Sequence, residues 1–271
     1  MHLWTETGQH LRTIAAHNGP IRRLAPHPRE PVIASAGWDG ATKLWDYDGS
    51  VIQTLAQGGD RLNAVAFSPD SQYLATVGRE EILRLWQRGA DGRFSNQPQV
   101  EAEGHTDNIW DVAFSPDGPL VATGSNDGTV KLWSLEGELL QTLEGHRDRV
   151  HGITFIPANS ELPQDWGTVI ASASWDRTIK LWSLDGTLRL TLEGHNERVL
   201  DLAFHPATET SGPLLASSGL DDIVILWELD QVIDDAAVLQ HGCRWVQDYL
   251  RLQDERGTAA LCDGVSGEPV R

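Results

Sequence analysis

One stretch constrains this chain more than any other: Gly104–Trp133, GHTDNIWDVAFSPDGPLVATGSNDGTVKLW. It opens on Gly-His, runs through an apolar segment to Phe114 and turns at Ser-Pro-Asp-Gly. The small, apolar LVATGS follows, then Asn-Asp-Gly, then a β-branched segment that closes on Leu-Trp. Alternation of period two between turn residues predicts three antiparallel strands in succession, with Asn-Asp-Gly as a two-residue hairpin turn. The same order of signals returns at His17–Trp45, Gly58–Trp86, His146–Trp182 and His195–Trp227.

The closing tryptophans, Trp4, Trp45, Trp86, Trp133, Trp182 and Trp227, fall 41 to 49 residues apart. A period of this size points to propellers or solenoids. It accommodates one four-stranded blade per repeat, the fourth strand lying in segments such as ELLQTLEGH. The motifs GH…SPDG…SNDGTVKLW resemble the WD40 repeat. The resemblance covers residues 1–230 and implies an all-β chain: a β-propeller portion of five complete four-stranded blades plus a partial N-terminal blade. A short helical extension over residues 231–271 is expected to follow.

The two ends depart from the repeat. MHLWTETGQHLRTIAAH aligns without gaps on VKLWSLEGELLQTLEGH, which places Met1 where Val130 falls, inside a third strand. The expectation is the C-terminal part of a longer array, or a mis-assigned start. Residues 10–14 align as a fourth strand and can either stay beside residues 1–4, leaving an open arc, or pair with residues 223–227 and close a small ring; the short connection TETGQ favours the arc. After Trp227 no segment like ELLQTL follows. Residues 232–252 carry Val238/Leu239, Trp245/Val246 and Tyr249/Leu250 at helical spacing. GCRWVQDYL followed by LCDG resembles the C-terminal extension of WD40 arrays in large bacterial, especially cyanobacterial, signalling proteins.

Composition narrows the partners. A net charge of −18 disfavours non-specific binding of nucleic acid or anionic membrane by the whole surface. No apolar run approaches the ~18–20 residues of a membrane helix, and no signal-peptide pattern appears in the sequence, so neither a membrane span nor secretion is expected. Cys243 and Cys262 lie outside the repeats, which gives no disulfide framework and points to the reducing cytoplasm. His241, Cys243 and Cys262 lack the paired spacing of a zinc site, so no metal is expected. No phosphate loop ending in Lys-Ser/Thr is present, and no cofactor is expected.

Two sets of positions remain. The first recurs: His17, Ser35, Asp39 and Trp45; His105, Thr123, Asp127 and Trp133; His146, Ser172, Asp176 and Trp182; His195, Ser217, Asp221 and Trp227. In the second repeat Gly58 replaces the His and Glu80 the Asp. His, Ser and Asp together evoke acyl transfer, but a catalytic triad is needed once, not four times. The family resemblance implies a structural network that satisfies these polar groups mutually.

The second set varies from repeat to repeat. It comprises the residues flanking the first apolar position of the first strand and the residue before the turn Asp. Topology puts them at one end of the central channel, where they supply Arg22, Trp38, Arg61, Arg79, Trp110, Arg149, His151, Trp175 and Arg198. No carboxylate occupies any of the fifteen positions. Arg and Trp are enriched at binding hot spots, and guanidinium groups grip carboxylate or phosphate. Solvated rim charges are the bland alternative. The expected function is therefore a non-catalytic scaffold or sensor that binds an acidic or phosphorylated peptide or protein. Two rivals stand beside it: a structural fragment that completes a ring, with further blades or an effector domain in a longer polypeptide, and an enzyme with a channel active site. No isolated acid–base pair breaks the repeat pattern to support the enzyme.

Overall fold

The computed structural model describes residues 1–56, 60–116, 119–158, 160, 162–163, 165–208 and 212–233. Two short strands come first, β1 (His2–Trp4) and β2 (His10–Thr13), paired with each other. Blade I follows as β3 (Ile21–Pro26), β4 (Val32–Gly37), β5 (Ala41–Asp46) and β6 (Val51–Ala56). Blade II is β7 (Leu62–Phe67), β8 (Tyr73–Gly78), β9 (Ile82–Gln87) and β10 (Val100–Glu103). Blade III is β11 (Ile109–Phe114), β12 (Leu120–Ser125), β13 (Val130–Ser134) and β14 (Leu139–Leu143). Blade IV is β15 (Val150–Ile156), β16 (Val169–Ser174), β17 (Thr178–Ser183) and β18 (Leu188–Glu193). Blade V has three strands among the described residues: β19 (Val199–His205), β20 (Leu214–Gly219) and β21 (Val224–Glu228). Every blade is an antiparallel meander, as the turn signals require.

The four larger apolar clusters are each drawn from two successive blades, and a smaller one packs Ile14 and Ala16 on Trp45. Ala34, Ala36, Leu44 and Leu55 of blade I meet Leu62, Val65, Phe67 and Trp86 of blade II. The same relation joins blades II and III, III and IV, and IV and V. Trp86, Trp133 and Trp182 are fully buried, each contributing on the order of 2–3 kcal/mol by area removed from water.

β2 pairs with β1, as the short connection TETGQ favours, so residues 10–14 are not paired with residues 223–227. Two findings modify the expectations. Blade V lacks a fourth strand among the described residues, because the chain turns helical at residues 229–233. There Leu229 and Ile233 are buried in the same apolar cluster as Leu162 from the insertion after β15, with Trp166 packed against that cluster. The hairpin turn of blade III spans three residues, not two. Ser125 and Thr129 pair across it, Gly128 N–H donates to the Ser125 carbonyl, and Gly128 adopts the left-handed conformation. The Asp127 carboxylate accepts the Thr129 N–H at 2.9 Å, which fixes the wider loop.

The insertion after Trp86 has a definite role. Gln53 Nε2 donates to the Phe94 carbonyl at 2.6 Å, and Phe94 N–H donates to Gln53 Oε1 at 3.1 Å. With Arg88 paired to Glu30 at 2.8 Å, it staples blade II to blade I. Gly58, Asp117 and the expected helical extension from residue 234 onward, with His241, Cys243 and Cys262, lie outside the described residues.

Candidate functional site

The recurring polar residues meet within each blade. In blade III, His105 Nδ1 lies 2.7 Å from Asp127 and Nε2 lies 2.8 Å from Thr123 Oγ1, while Trp133 Nε1 donates to the same hydroxyl at 2.8 Å. With the ring neutral, Nδ1–H donates to the carboxylate and Nε2 accepts the threonine proton, so every group is satisfied. Burial pushes the Asp127 carboxyl up, but the bonds from His105 and Thr129 outweigh it and hold it well below the usual carboxylate range. The same geometry joins His17, Ser35, Asp39 and Trp45. It joins His146, Ser172, Asp176 and Trp182, and again His195, Ser217, Asp221 and Trp227. Blade II solves the problem differently. Trp86 still donates to Thr76 at 3.1 Å, but Arg84 sits between Glu80 and Glu101.

The variable residues come together because one hydrogen bond recurs in all five blades. The amide of the residue before the turn Asp donates to the carbonyl of the residue that precedes the inner strand. These pairs are Trp38 to Pro20, Arg79 to Arg61, Asn126 to Asn108, Trp175 to Arg149 and Leu220 to Arg198. Hairpin tips and inner-strand starts therefore share one end of the blades.

There the side chains form a ladder across several blades. The Arg22 guanidinium lies over the Trp110 ring at 5.4 Å. Trp110 stacks on His151 at 4.7 Å between centroids, and His151 lies nearly parallel to Trp175 at 6.2 Å. Arg149 and Arg198 lie over Trp175 at 4.6 and 4.2 Å. Arg61 lies over Trp38 at 4.5 Å, repeating between blades I and II the relation of Arg198 to Trp175. Arg79 is exposed at its hairpin tip. The arginines in salt bridges among the described residues are Arg23, Arg84, Arg88 and Arg189; Arg22, Arg61, Arg79, Arg149 and Arg198 have none.

His151 is anchored rather than free: Nδ1 donates to the Leu200 carbonyl at 2.8 Å, and burial, aided by Arg22, lowers its pKa. The indole nitrogens of Trp38 and Trp175 are buried and have no hydrogen-bond partner among the described residues.

Sequence reasoning missed one group at this end of the channel. A bulge follows the first residue of every inner strand. Strict alternation counted from the first apolar residue therefore overlooks the column Arg23, Ala64, Asp111, Gly152 and Asp201. Arg23 donates to Asp201 at 2.7 Å and to Asp111 at 3.2 Å. Asp111 also accepts the backbone N–H groups of Val112 and Ile153, each at 3.0 Å. Burial pushes its carboxyl up to about 6, against the pull of Arg23. Gly152 belongs here for space: a Cβ would sit 3.0 Å from Asp201 Cα and 3.1 Å from the Leu200 carbonyl. The variation within this column, one cation and two anions among small residues, was the available signal.

A family model described as "WD domain, G-beta repeat" matches residues 8–46, 49–87, 96–134, 137–183 and 186–228. The Periodic tryptophan protein 2 homolog of Mus musculus is 34% identical over 87 residues, 31% of this chain and 9% of the relative. An uncharacterized WD repeat-containing protein of Synechocystis is 38% identical over 58 residues, 21% of this chain and 5% of the relative. The small ribosomal subunit protein RACK1 of Neurospora crassa is 38% identical over 65 residues, 24% of this chain and 21% of the relative. The chain thus spans only a small share of each relative's length. With five repeats matched over most of its own length, and with its His–hydroxyl–Asp sets serving as blade ties, the chain belongs to the WD40 repeat family.

Proposed function

We propose that the chain binds an acidic or phosphorylated peptide segment of a partner protein on the arginine and tryptophan face. The carrying observation is five guanidinium groups at one end of the blades, none ion-paired among the described residues, in a protein of net charge −18. Arg149 and Arg198, both over Trp175, combine a charged fork with a broad apolar surface, the pairing that grips a carboxylate or phosphate beside an apolar side chain. Chain chemistry sets nucleic acid second, because the whole-surface charge repels a polyanion. We further place the chain in the cytoplasm, as part of a longer bacterial signalling protein. The short match to the Synechocystis protein supports the bacterial part of that reading. Among the described residues no helix is long and apolar enough to cross a membrane.

A titration of indole fluorescence with acidic and phosphorylated peptides tests the binding reading. Saturable binding that Arg198→Glu weakens and added salt blunts supports it. Equal binding of a neutral peptide contradicts it.

A second reading, a structural piece that completes a ring with further blades, rests on the open side of blade V. Val224 and Leu226 are 67% and 64% exposed, whereas their counterparts Val130 and Leu132 are 0% and 3% exposed under the next blade. Leu24, on the opposite side of blade I, is likewise exposed. A monodisperse, cooperatively melting chain in solution favours the binding reading; self-association that Leu226→Lys abolishes favours the structural one.

A further inference from the structure

Arg23 ties together blades that are not neighbours. Elsewhere among the described residues, side-chain hydrogen bonds between blades join successive ones. Asn63 donates to the Ile109 carbonyl, His151 to the Leu200 carbonyl and Gln141 to the Asp185 carbonyl. Arg23 instead leaves blade I, crosses the channel and reaches Asp111 of blade III and Asp201 of blade V. The residue before it, Arg22, makes the same crossing and lies over Trp110 of blade III. Arg22 is the extra residue of the bulge in β3 and Arg23 resumes the pairing, so the backbone that fixes one fixes the other.

Resting on the reading that this face binds an anionic peptide, we propose that Arg23 is a positioning residue. By bridging Asp111 and Asp201 it holds Arg22 on Trp110, and so completes a ladder whose other members come from blades III, IV and V. Its second effect is electrostatic. Asp111 and Asp201 lie in the inner strands directly beside Trp110 and Leu200, and their two carboxylates would repel an anionic ligand. One guanidinium between them lowers that repulsion, leaving Arg22, Arg149 and Arg198 unopposed. Arg23 itself is spent on its two partners and is not a ligand group. The pair with Asp111, whose side chain is 3% exposed, is desolvated and therefore geometrically demanding; the pair with Asp201, 47% exposed, is the adjustable one.

Three variants of the full chain test this: Arg23→Gln, Arg23→Lys and Asp201→Asn. The first readout needs no ligand. The Arg22 side-chain protons should be shifted upfield in the NMR spectrum by the Trp110 ring, and Arg198 by the Trp175 ring. Arg23→Gln is expected to abolish the Arg22 shift and leave the Arg198 shift intact, with Arg23→Lys restoring part of it. Should Arg23→Gln fail to fold, Asp201→Asn keeps buried Asp111 paired and is expected to reduce the Arg22 shift. The second readout is hexaglutamate binding. Arg23→Gln is expected to weaken it tenfold or more, with Arg22→Gln adding little in that background. Persistence of the Arg22 shift in Arg23→Gln, or in Asp201→Asn where only that variant folds, overturns the positioning role. Loss of the shift in a chain that binds hexaglutamate no better than a neutral peptide supports positioning while overturning the binding reading itself.

Discussion

The polar ties inside the blades and the ladder at the channel mouth use similar residues to opposite ends. His105, Thr123, Asp127 and Trp133 form a closed circuit in which each donor has an acceptor, and the same circuit recurs in blades I, IV and V. The ladder from Arg22 through Trp110 and His151 to Trp175 and Arg198 is built once, from columns in which the blades differ, and it ends in guanidinium groups without ion-pair partners among the described residues. Repetition marks what every blade needs in order to stand. Variation marks what the assembled molecule presents. Changes in the circuit should therefore cost stability, and changes at the exposed end of the ladder should cost binding.

The largest effect is expected at Asp127. Asp127→Ala strands His105 Nδ1–H and the amides of Thr106 and Thr129, and should lower unfolding free energy by about 3 kcal/mol in a denaturant melt, taking ~1–3 kcal/mol per unsatisfied group as the scale. The Asp127 carboxyl is held below its ordinary range in the folded state. The stability it supplies is thus present above its unfolded pKa and is lost as pH falls below that value. Next in size is Trp175→Ala, which should raise peptide dissociation by about 2 kcal/mol with little salt dependence if the ring is the anchor.

Blade repeats, strand order and the circuits could be read from the chain because turn residues and closing tryptophans are local signals. Blade V has three strands among the described residues, in keeping with the lack of a segment like ELLQTL after Trp227 but not with the five complete blades that the repeat count implies. The Arg23–Asp111–Asp201 bridge could not be read from the chain. It depends on a bulge that shifts the side-chain count after Ile21, Ile109 and Val199, and on the distance across the channel, which no local pattern sets. The three-residue hairpin escapes the local pattern too: Asn-Asp-Gly fits a two-residue turn, and only the pairing of Ser125 with Thr129 places Gly128 inside the loop.

Smaller effects sharpen the contrast. At the third turn position Gly40 and Gly128 adopt positive φ, but Glu81, Arg177 and Asp222 do so as well, with Arg177 at +74°. Arg177→Gly should raise stability by about 1 kcal/mol, the cost of the left-handed conformation for a residue with a Cβ. Glu80→Ala should cost less than about 1 kcal/mol, because Arg84 retains Glu101. Equal melting shifts for Glu80→Ala and Asp127→Ala would remove the distinction between the two kinds of blade. Asp111 gives the opposite pH sign from Asp127. Its folded pKa, about 6, lies above the ordinary 3.8, so the folded state holds the proton more tightly and this group favours folding as pH falls from 7 toward 5. The slope of unfolding free energy over that window should be shallower in Asp111→Asn.

The most direct test of the division between circuit and ladder is to measure melting and hexaglutamate affinity on one variant, Arg198→Glu. Its side chain is exposed and lies over Trp175. The expected result is a stability within about 0.5 kcal/mol of the parent, as for surface substitutions generally, together with at least a tenfold loss of affinity that salt diminishes. Unchanged affinity in Arg198→Glu, with binding lost instead when Glu136 and Glu138 at the opposite end are altered, would place the binding surface on the wrong side of the molecule.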